Sequence, residues 1–296
     1  MHHNGMDGKP RSFWKLRLAA LGLGILAAVI VYGIALGVSN DLRLIYALGA
    51  VLLFATAMLL GRRGQDWISA VLLIAPLAAI FTSEVLQKVP ALWPGILLWA
   101  IAAAIGLVFV RLIRQQLYLA TGIVVVLLLI GSAWYCSAYV PKLLAHSYNH
   151  PKDATLPAFT LQPVTSGSVP VSPTPGKILV IDFFSTTCAP CIAELPEFAA
   201  AQAELSQNRD VEFVLVASDL GRDTPDGFRS FIEKRHINMP LAFDQGGKAH
   251  NGLGVTGVPA IVVVDRSGKI RLTREGYNPA ETTFRRDLVA FIKSLD

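Results

Sequence analysis

Cysteine is scarce in this chain, whose 296 residues include only Cys136, Cys188 and Cys191. So few cysteines exclude a disulfide-rich scaffold. A four-ligand zinc site would need a second cysteine or histidine pair, and no His-x-x-x-His spacing follows Cys191. Cys136 lies inside an apolar run, whereas the other two form a Cys-x-x-Cys pair. Cysteine chemistry is therefore expected at that pair.

Charged residues are also few, at 16% of the chain against about 25% in ordinary soluble domains. The apolar excess lies before residue 141, and the remainder has the composition of a soluble domain. The formal net charge of +5 is concentrated in short clusters beside apolar runs. This placement indicates membrane topology rather than nucleic-acid binding.

The apolar N-terminal region predicts an all-α membrane bundle over residues 1–140. A helix of roughly 20 apolar residues spans a bilayer, and the first is too long for a cleaved signal peptide. The third is the weakest, because Pro76 lies in its middle and Glu84 near its end. The five predicted transmembrane helices are 18–38, 44–60, 67–86, 91–110 and 117–140.

Basic residues support five spans and set the orientation. With five spans, the cluster before the first helix, the pair Arg62–Arg63 and the pair Arg111 and Arg114 face one side. The positive-inside rule makes that side cytoplasmic, whereas four spans would place the last two pairs on opposite sides. The prediction is a multi-pass protein of a bacterial cytoplasmic (inner) membrane with a cytoplasmic N-terminus. Polar residues 141–155 predict a stalk, and 156–296 a periplasmic domain.

The second half of the chain centres on Cys188 and Cys191 at a predicted strand-to-helix junction. The apolar run 178–184 predicts a strand, and 189–206 predicts a helix. At a helix N-terminus, free N–H groups and the helix dipole favour a thiolate. The second sulfur is near enough to close a disulfide. The pair is thus predicted to be redox-active, the alternative being two core cysteines that meet by chance.

Helices and strands alternate through the rest of the chain. This predicts an α/β domain whose mixed sheet has a parallel core, helices on both faces and a terminal antiparallel hairpin. Thr224 or Asp223 is expected to cap the helix at 226–236. A small irregular hairpin is predicted from 156–161 and 168–171. The remaining predicted strands are 211–217, 239–243, 259–265 and 269–275, and the remaining helices 248–253 and 280–295.

Four features of this domain resemble the TlpA-like family of membrane-tethered thiol–disulfide oxidoreductases. Residues 159–161 and 176–177 fall where the family has its N-terminal hairpin and the entry to its central strand. Residues 188–196, Cys-Ala-Pro-Cys-Ile-Ala-Glu-Leu-Pro, fit the family motif CxPCxxExP. Residues 257–259 fit its cis-proline loop, and 211–236 occupy the place of its central insertion. The resemblance covers roughly 156–296 and implies a thioredoxin fold. The chain departs from the family at Thr187, where relatives commonly have Trp, which leaves docking preferences open.

The resemblance implies catalytic roles for four residues. Cys188 attacks a substrate disulfide as a thiolate, and Cys191 resolves the mixed disulfide. Glu194 is a candidate for modulating cysteine pKa and transferring protons, the alternative being a solvated first-turn residue. Asp182 matches the buried Asp of thioredoxin and could accept the proton of the second cysteine, unless it is a partly solvated strand residue.

Substrate binding is expected at three further residues. Pro190 is expected to shape the active-site turn. The Val258–Pro259 bond is expected to be cis and to lie against the disulfide, as in the family. The backbone of Val258 can then pair with an extended substrate peptide in the manner of a β-strand.

The predicted function is reduction of protein disulfides. A peroxiredoxin shares the fold, but its proline position seven residues before the cysteine holds Ile181. TlpA-like relatives mostly act as reductants, and Cys-Ala-Pro-Cys lacks the His of strongly oxidising relatives. A dithiol oxidase and a copper-binding protein are the alternatives. Thiol relay across a bilayer needs two cysteines, and the spans hold only Cys136. A separate transmembrane electron donor is therefore expected, with no cofactor, resident metal or nucleic-acid partner.

Overall fold

A computed structural model describes residues 10–62, 67–164, 174–219 and 223–295. The chain divides into two compact units between Leu143 and Leu144. Five helices in the described ranges are long and apolar enough to cross a membrane, judged by length and composition. They correspond in order to the five predicted segments. Their bounds are Trp14–Gly37, Leu42–Gly61, Trp67–Leu86, Pro90–Arg114 and Tyr118–Tyr148.

The N-terminal unit packs its helices in close pairs, the first against the third and the second against the fourth. Glycine allows two of these approaches: a Cβ atom at Gly24 would lie 2.4 Å from the Leu73 carbonyl oxygen, and one at Gly106 would lie 2.4 Å from that of Phe54. Small residues permit such backbone approach between apolar helices. The helices are α1 (Pro10–Gly37), α2 (Leu42–Gly61), α3 (Trp67–Phe81), α4 (Pro94–Arg114) and α5 (Tyr118–Trp134).

Polar contacts in this unit gather around one backbone carbonyl. The hydroxyls of Tyr46 and Tyr135 both donate to the carbonyl oxygen of Leu92, each at 3.2 Å. The indole N–H of Trp99 donates to the carbonyl of Tyr46 at 3.1 Å. Cys136 is half-buried, with Sγ 3.8 Å from the Arg43 carbonyl oxygen. These bonds satisfy the polar atoms of large aromatic side chains that pack between helices.

Residues 141–155 differ from the predicted stalk. They form helix α6 (Val140–Tyr148) and strand β1 (Asn149–Thr155), which pairs antiparallel with β7 (Lys269–Glu275). Most of β1 is exposed, as an edge strand is, and Pro151 is tolerated there because an edge strand has one unpaired side. Polar composition suggested a stalk because exposed edge strands and linkers have similar residues. The ladder with β7 distinguishes the two.

The described part of the predicted N-terminal hairpin has a different structure. Residues 168–171 lie outside the described residues, and 156–160 form no strand. A two-residue strand, β2 (Gln162–Pro163), instead pairs antiparallel with β5 (Leu241–Asp244). The chain thus adds short edge strands at both sides of the sheet, at β1 and β2.

The C-terminal unit is built around one mixed sheet with the order β1-β7-β6-β3-β4-β5-β2, in which β3 is Ile178–Phe184, β4 is Val211–Ser218 and β6 is Ala260–Val264. Strands β3, β4 and β5 are parallel, and β6 runs antiparallel to both β3 and β7. The predicted α/β architecture with a parallel core and a terminal hairpin is confirmed. The remaining elements are α7 (Ala189–Leu205), α8 (Pro225–Glu233), α9 (Lys248–Gly252) and α10 (Phe284–Lys293).

Strand β3 is the centre of the core, and all seven of its residues are buried. Its side chains alternate between faces: Val180 and Phe184 join the cluster that contains Cys191, whereas Ile181 and Phe183 join the opposite cluster. By this alternation, Asp182 lies on the face of Val180 and Cys191. An ionisable side chain therefore occupies a core position on the face of the sheet where Cys191 packs.

Candidate active site

The loop after β3 delivers Cys188 to the first turn of α7. Cys188 is the N-cap residue, with extended backbone angles, and its Sγ accepts a hydrogen bond from the Cys191 N–H at 3.2 Å. Pro190 lies in the first turn of the helix, where proline costs no hydrogen bond. The free N–H groups and positive end of α7 therefore face the Cys188 sulfur, which favours its thiolate.

The two cysteines form a disulfide and differ in exposure. Cys188 and Cys191 are bonded, with their Cα atoms 5.3 Å apart. Cys188 is half-buried, whereas Cys191 has no exposed surface. An external thiol or disulfide can therefore approach Cys188, and Cys191 is reached only from within the protein. This asymmetry suits a nucleophile and a resolving cysteine.

The Val258–Pro259 loop lies beside the exposed sulfur. The peptide bond between these residues is cis, as expected from the sequence. The carbonyl oxygen of Val258 is 3.7 Å from Cys188 Sγ, and the side chain is 38% exposed. Pro259 is buried and its carbonyl accepts from the Gly276 N–H at 2.9 Å. The loop is thus anchored to the sheet while Val258 faces the disulfide and solvent.

Asp182 is an acidic residue within the buried core of the C-terminal unit. It is 1% exposed, and Oδ1 has no hydrogen-bond partner. Desolvation raises its pKa from 3.8 to about 8. A partly solvated strand residue, the alternative considered from the sequence, does not match this environment. Near neutral pH, the side chain can both hold and release a proton.

Glu194 is a second buried acid and comes from α7. It is 1% exposed, and Oε2 has no hydrogen-bond partner. Burial, and then the nearby charge of Asp182, raise the pKa of Glu194 well above its ordinary value of 4.5. Glu194 is therefore not the solvated first-turn residue that the sequence allowed as an alternative. The structure brings both acids into the core that contains Cys191.

A buried ion pair, not found from the sequence, extends this group of charges. Arg274 of β7 and Glu281 are both almost fully buried and form a salt bridge. The register places Asp182 opposite Ile261 and Ile261 opposite Arg274, so Asp182 and Arg274 share one face. The positive charge of Arg274 lowers the pKa of Glu194, which burial raises. The charge of Arg274 therefore acts on two buried carboxyl groups, Glu281 and Glu194.

The local sequence carries a weak signal for this ion pair. Arg274 lies two residues after the buried Leu272, so alternation along the strand places both side chains on the same inward face. A charged residue at an inward position predicts a buried partner. The identity of that partner, Glu281, depends on the turn after β7 and on cross-strand register, which local patterns do not specify.

Parts of this chain are similar to known proteins. Residues 151–288 match the family described as Redoxin, a match that lies within the C-terminal unit and includes both cysteines. The chain is 25% identical over 158 residues to thiol-disulfide oxidoreductase ResA of Bacillus subtilis (strain 168), covering 53% of this chain and 83% of that protein. It is 34% identical over 100 residues to thiol:disulfide interchange protein HelX of Rhodobacter capsulatus, covering 33% of this chain and 52% of that protein.

Among solved structures, the chain is similar to a thiol:disulfide interchange protein of the thioredoxin family from Chlorobium tepidum TLS. The TM-score is 0.40 and the sequence identity 24%, and the likeness covers 49% of this chain and 98% of that one.

Proposed function

We propose that this chain, a TlpA/ResA-like thiol–disulfide oxidoreductase of the thioredoxin superfamily, is a membrane-anchored reductase of protein disulfides. The observation that carries the proposal is the unequal exposure of the bonded cysteines, next to Val258, a partly exposed residue whose carbonyl oxygen is 3.7 Å from Cys188 Sγ. In its reduced form such a pair presents one attacking sulfur and keeps the other for resolution. Substrate identity is left to experiment.

The proposed reaction has two exchange steps. The Cys188 thiolate attacks one sulfur of a substrate disulfide, forms a mixed disulfide and releases the other substrate sulfur as a thiolate. Cys191 then attacks Cys188 Sγ, closes the intramolecular disulfide and releases the second substrate sulfur. The cysteine pair gives two electrons to the substrate. Cys191 supplies one of the two protons that the released thiolates take up, and solvent supplies the other. The helix N-terminus supports the first step because it stabilises a thiolate at Cys188.

Asp182 and Glu194 are proposed to move the proton of Cys191. The Cys191 thiol is buried and must lose its proton before it can attack. A carboxylate in the same core can accept that proton only if its pKa is close to neutral, which burial achieves for Asp182. Glu194 and Asp182 repel each other when both are charged, so one of them is readily protonated.

Val258, Pro259 and Pro190 are proposed to bind the substrate chain. An extended peptide can accept or donate backbone hydrogen bonds along Val258 while its disulfide lies over Cys188. Pro259 sets the direction of this loop. Pro190 has no backbone N–H, so the first turn of α7 contains one donor fewer that could compete for the substrate. Thr187 is exposed next to Cys188 and leaves this surface open.

The five apolar helices are proposed to cross a bacterial cytoplasmic (inner) membrane, with the N-terminus in the cytoplasm. Arg111 and Arg114 then lie at a cytoplasmic end, and the thioredoxin-like domain lies in the periplasm. A reductase in that oxidising compartment needs electrons. Cys136 alone cannot relay them across a bilayer as a dithiol, so a separate transmembrane protein is proposed as the donor.

The reduction potential tests the direction of the reaction. The full-length protein would be equilibrated with glutathione buffers, and the thiol content of the Cys188–Cys191 pair would be measured by alkylation. A potential near about −270 mV favours a reductase, and one near about −120 mV favours a dithiol oxidase. Cys136→Ser removes the third thiol from the measurement. Absence of a two-electron couple in this variant would refute the proposed function.

A further inference from the structure

Asp223 contacts the loop that carries the nucleophile. Its carboxylate is 6% exposed and accepts hydrogen bonds from the Thr186 N–H at 3.3 Å to Oδ1 and 3.2 Å to Oδ2. The Thr186 hydroxyl also donates to Oδ1. Asp223 follows β4, whereas Thr186 follows β3, so the contact joins two neighbouring parallel strands at their carboxyl ends.

Asp223 is free to make this contact because Thr224 caps the following helix. The sequence left both residues as candidate caps for α8. Thr224 has extended backbone angles, and its Oγ1 accepts the Gly227 N–H at 3.2 Å. The neighbouring aspartate can therefore turn away from the helix. The buried carboxylate accepts from two donors of one residue, the N–H and the hydroxyl of Thr186. This contact is strong, because charge-assisted hydrogen bonds are stronger than neutral ones.

Thr186 lies two residues before Cys188, at most about 7 Å along the chain. The loop between them is further held by the Cys188 N–H, which donates to the Ser185 carbonyl at 3.1 Å. The Thr187 N–H lies 3.4 Å from Ser185 Oγ. Internal bonds thus set the shape of the loop, and Asp223 supplies the tie to the neighbouring strand.

We propose that Asp223 is a positioning residue for the Cys188 nucleophile. It holds the loop through Thr186, and its negative charge limits how far the thiolate of Cys188 is stabilised. This inference rests on the proposed disulfide exchange and adds a determinant outside the Cys-x-x-Cys motif. The other carboxyl groups of the site, Asp182 and Glu194, lie in the core beneath the pair and remain in place when Asp223 is changed.

The test compares four variants of the full-length protein in detergent micelles. Asp223→Asn keeps the size of the side chain but replaces one of its two acceptor oxygens by an NH₂ group, which cannot accept from Thr186. Thr186→Val removes only the hydroxyl bond, and Thr186→Ser restores it. Asp226→Asn is the control, since Asp226 is exposed and paired with Arg229. The readouts are kcat/KM for reduction of a disulfide-containing peptide and the equilibrium constant for reduction of the pair by glutathione.

Asp223→Asn is expected to lower kcat/KM at least tenfold, because a charge-assisted bond to the loop is lost. Loss of the nearby negative charge should also stabilise the reduced form and raise the equilibrium constant at least threefold. Thr186→Val should lower kcat/KM with a smaller change in the equilibrium constant, because the charge remains. Thr186→Ser and Asp226→Asn should match the wild type.

Unchanged kcat/KM and equilibrium constant in Asp223→Asn would overturn the inference while leaving the proposed function intact. If Asp223→Asn does not fold, the threonine pair decides: equal activity of Thr186→Val and Thr186→Ser would overturn it. A wild-type protein without exchange activity would overturn the proposed function, and this inference with it.

Discussion

Replacement of Asp182 by asparagine should stabilise the oxidised protein in a pH-dependent way. Burial raises the pKa of Asp182 from 3.8 to about 8. Between these values the folded state keeps a proton that the unfolded state has lost, so wild-type stability falls as pH rises. Asparagine carries no titrating proton. The unfolding free energy of the variant, relative to that of the wild type, should therefore increase from pH 4 to pH 8 and stay constant above pH 8.

The size of this gain follows from the shift in pKa. One pKa unit corresponds to about 1.4 kcal/mol, so the difference in unfolding free energy should rise by about 1.4 kcal/mol per pH unit from 4 to 8. The accumulated gain is on the order of 5 kcal/mol for Asp182 at pH 8. A buried amide adds a cost of about 1–3 kcal/mol that does not depend on pH. The slope is thus the diagnostic quantity.

Native-state hydrogen exchange of β3 amides measures this slope in the full-length protein. The C-terminal unit contains no tryptophan, so intrinsic indole fluorescence would not report on it. Exchange would be followed at pH 5, 6, 7 and 8 after correction for intrinsic rates. Asp226→Asn is the matched control, because Asp226 is exposed and lies outside the core. A free-energy difference that is equal at pH 5 and pH 8 would refute a raised pKa at Asp182.

Three further outcomes are expected. Cys191→Ser should accumulate mixed disulfides on non-reducing gels and lose complete two-electron turnover, and full turnover would contradict the resolving role. Glu194→Gln should slow resolution at least tenfold at pH 7 in stopped-flow assays, because one of the two carboxyl groups proposed to move the Cys191 proton is lost. The rate should recover at higher pH, and a parallel loss at every pH would contradict proton transfer. Gly24→Ala should lower the melting temperature, because its Cβ meets the Leu73 carbonyl, whereas Gly22→Ala should not, and equal effects would refute that packing.

Local sequence was sufficient for the elements that carry the chemistry. The strand at 178–184 and the helix start at 189 were predicted with the bounds that β3 and α7 have. A continuous apolar run identifies a buried central strand, and Cys-Ala-Pro-Cys supplies a helix start with proline in its first turn. The five apolar helices were likewise predicted, because length and hydropathy are properties of contiguous residues.

Edge strands were harder to predict. The segment 141–155 looked like a stalk, because an exposed strand at a sheet edge has the polar composition of a linker. Its pairing partner, β7, lies more than a hundred residues later in the chain. No local pattern encodes a ladder over that separation. The two-residue strand β2 is similar, since it is defined by its pairing with β5.

The sequence alone reveals the cysteine pair, the two acids and their spacing along the chain. These residues are Cys188, Cys191, Asp182 and Glu194. Their environment is a property of the fold. Burial of both acids, their shared core with Arg274 and Glu281, and the link from Asp223 to Thr186 arise where β3, β6, β7 and the loop after β4 meet. Proton affinity depends on solvent exclusion and on charges that cross-strand register brings together. Those quantities exist only once distant segments have packed.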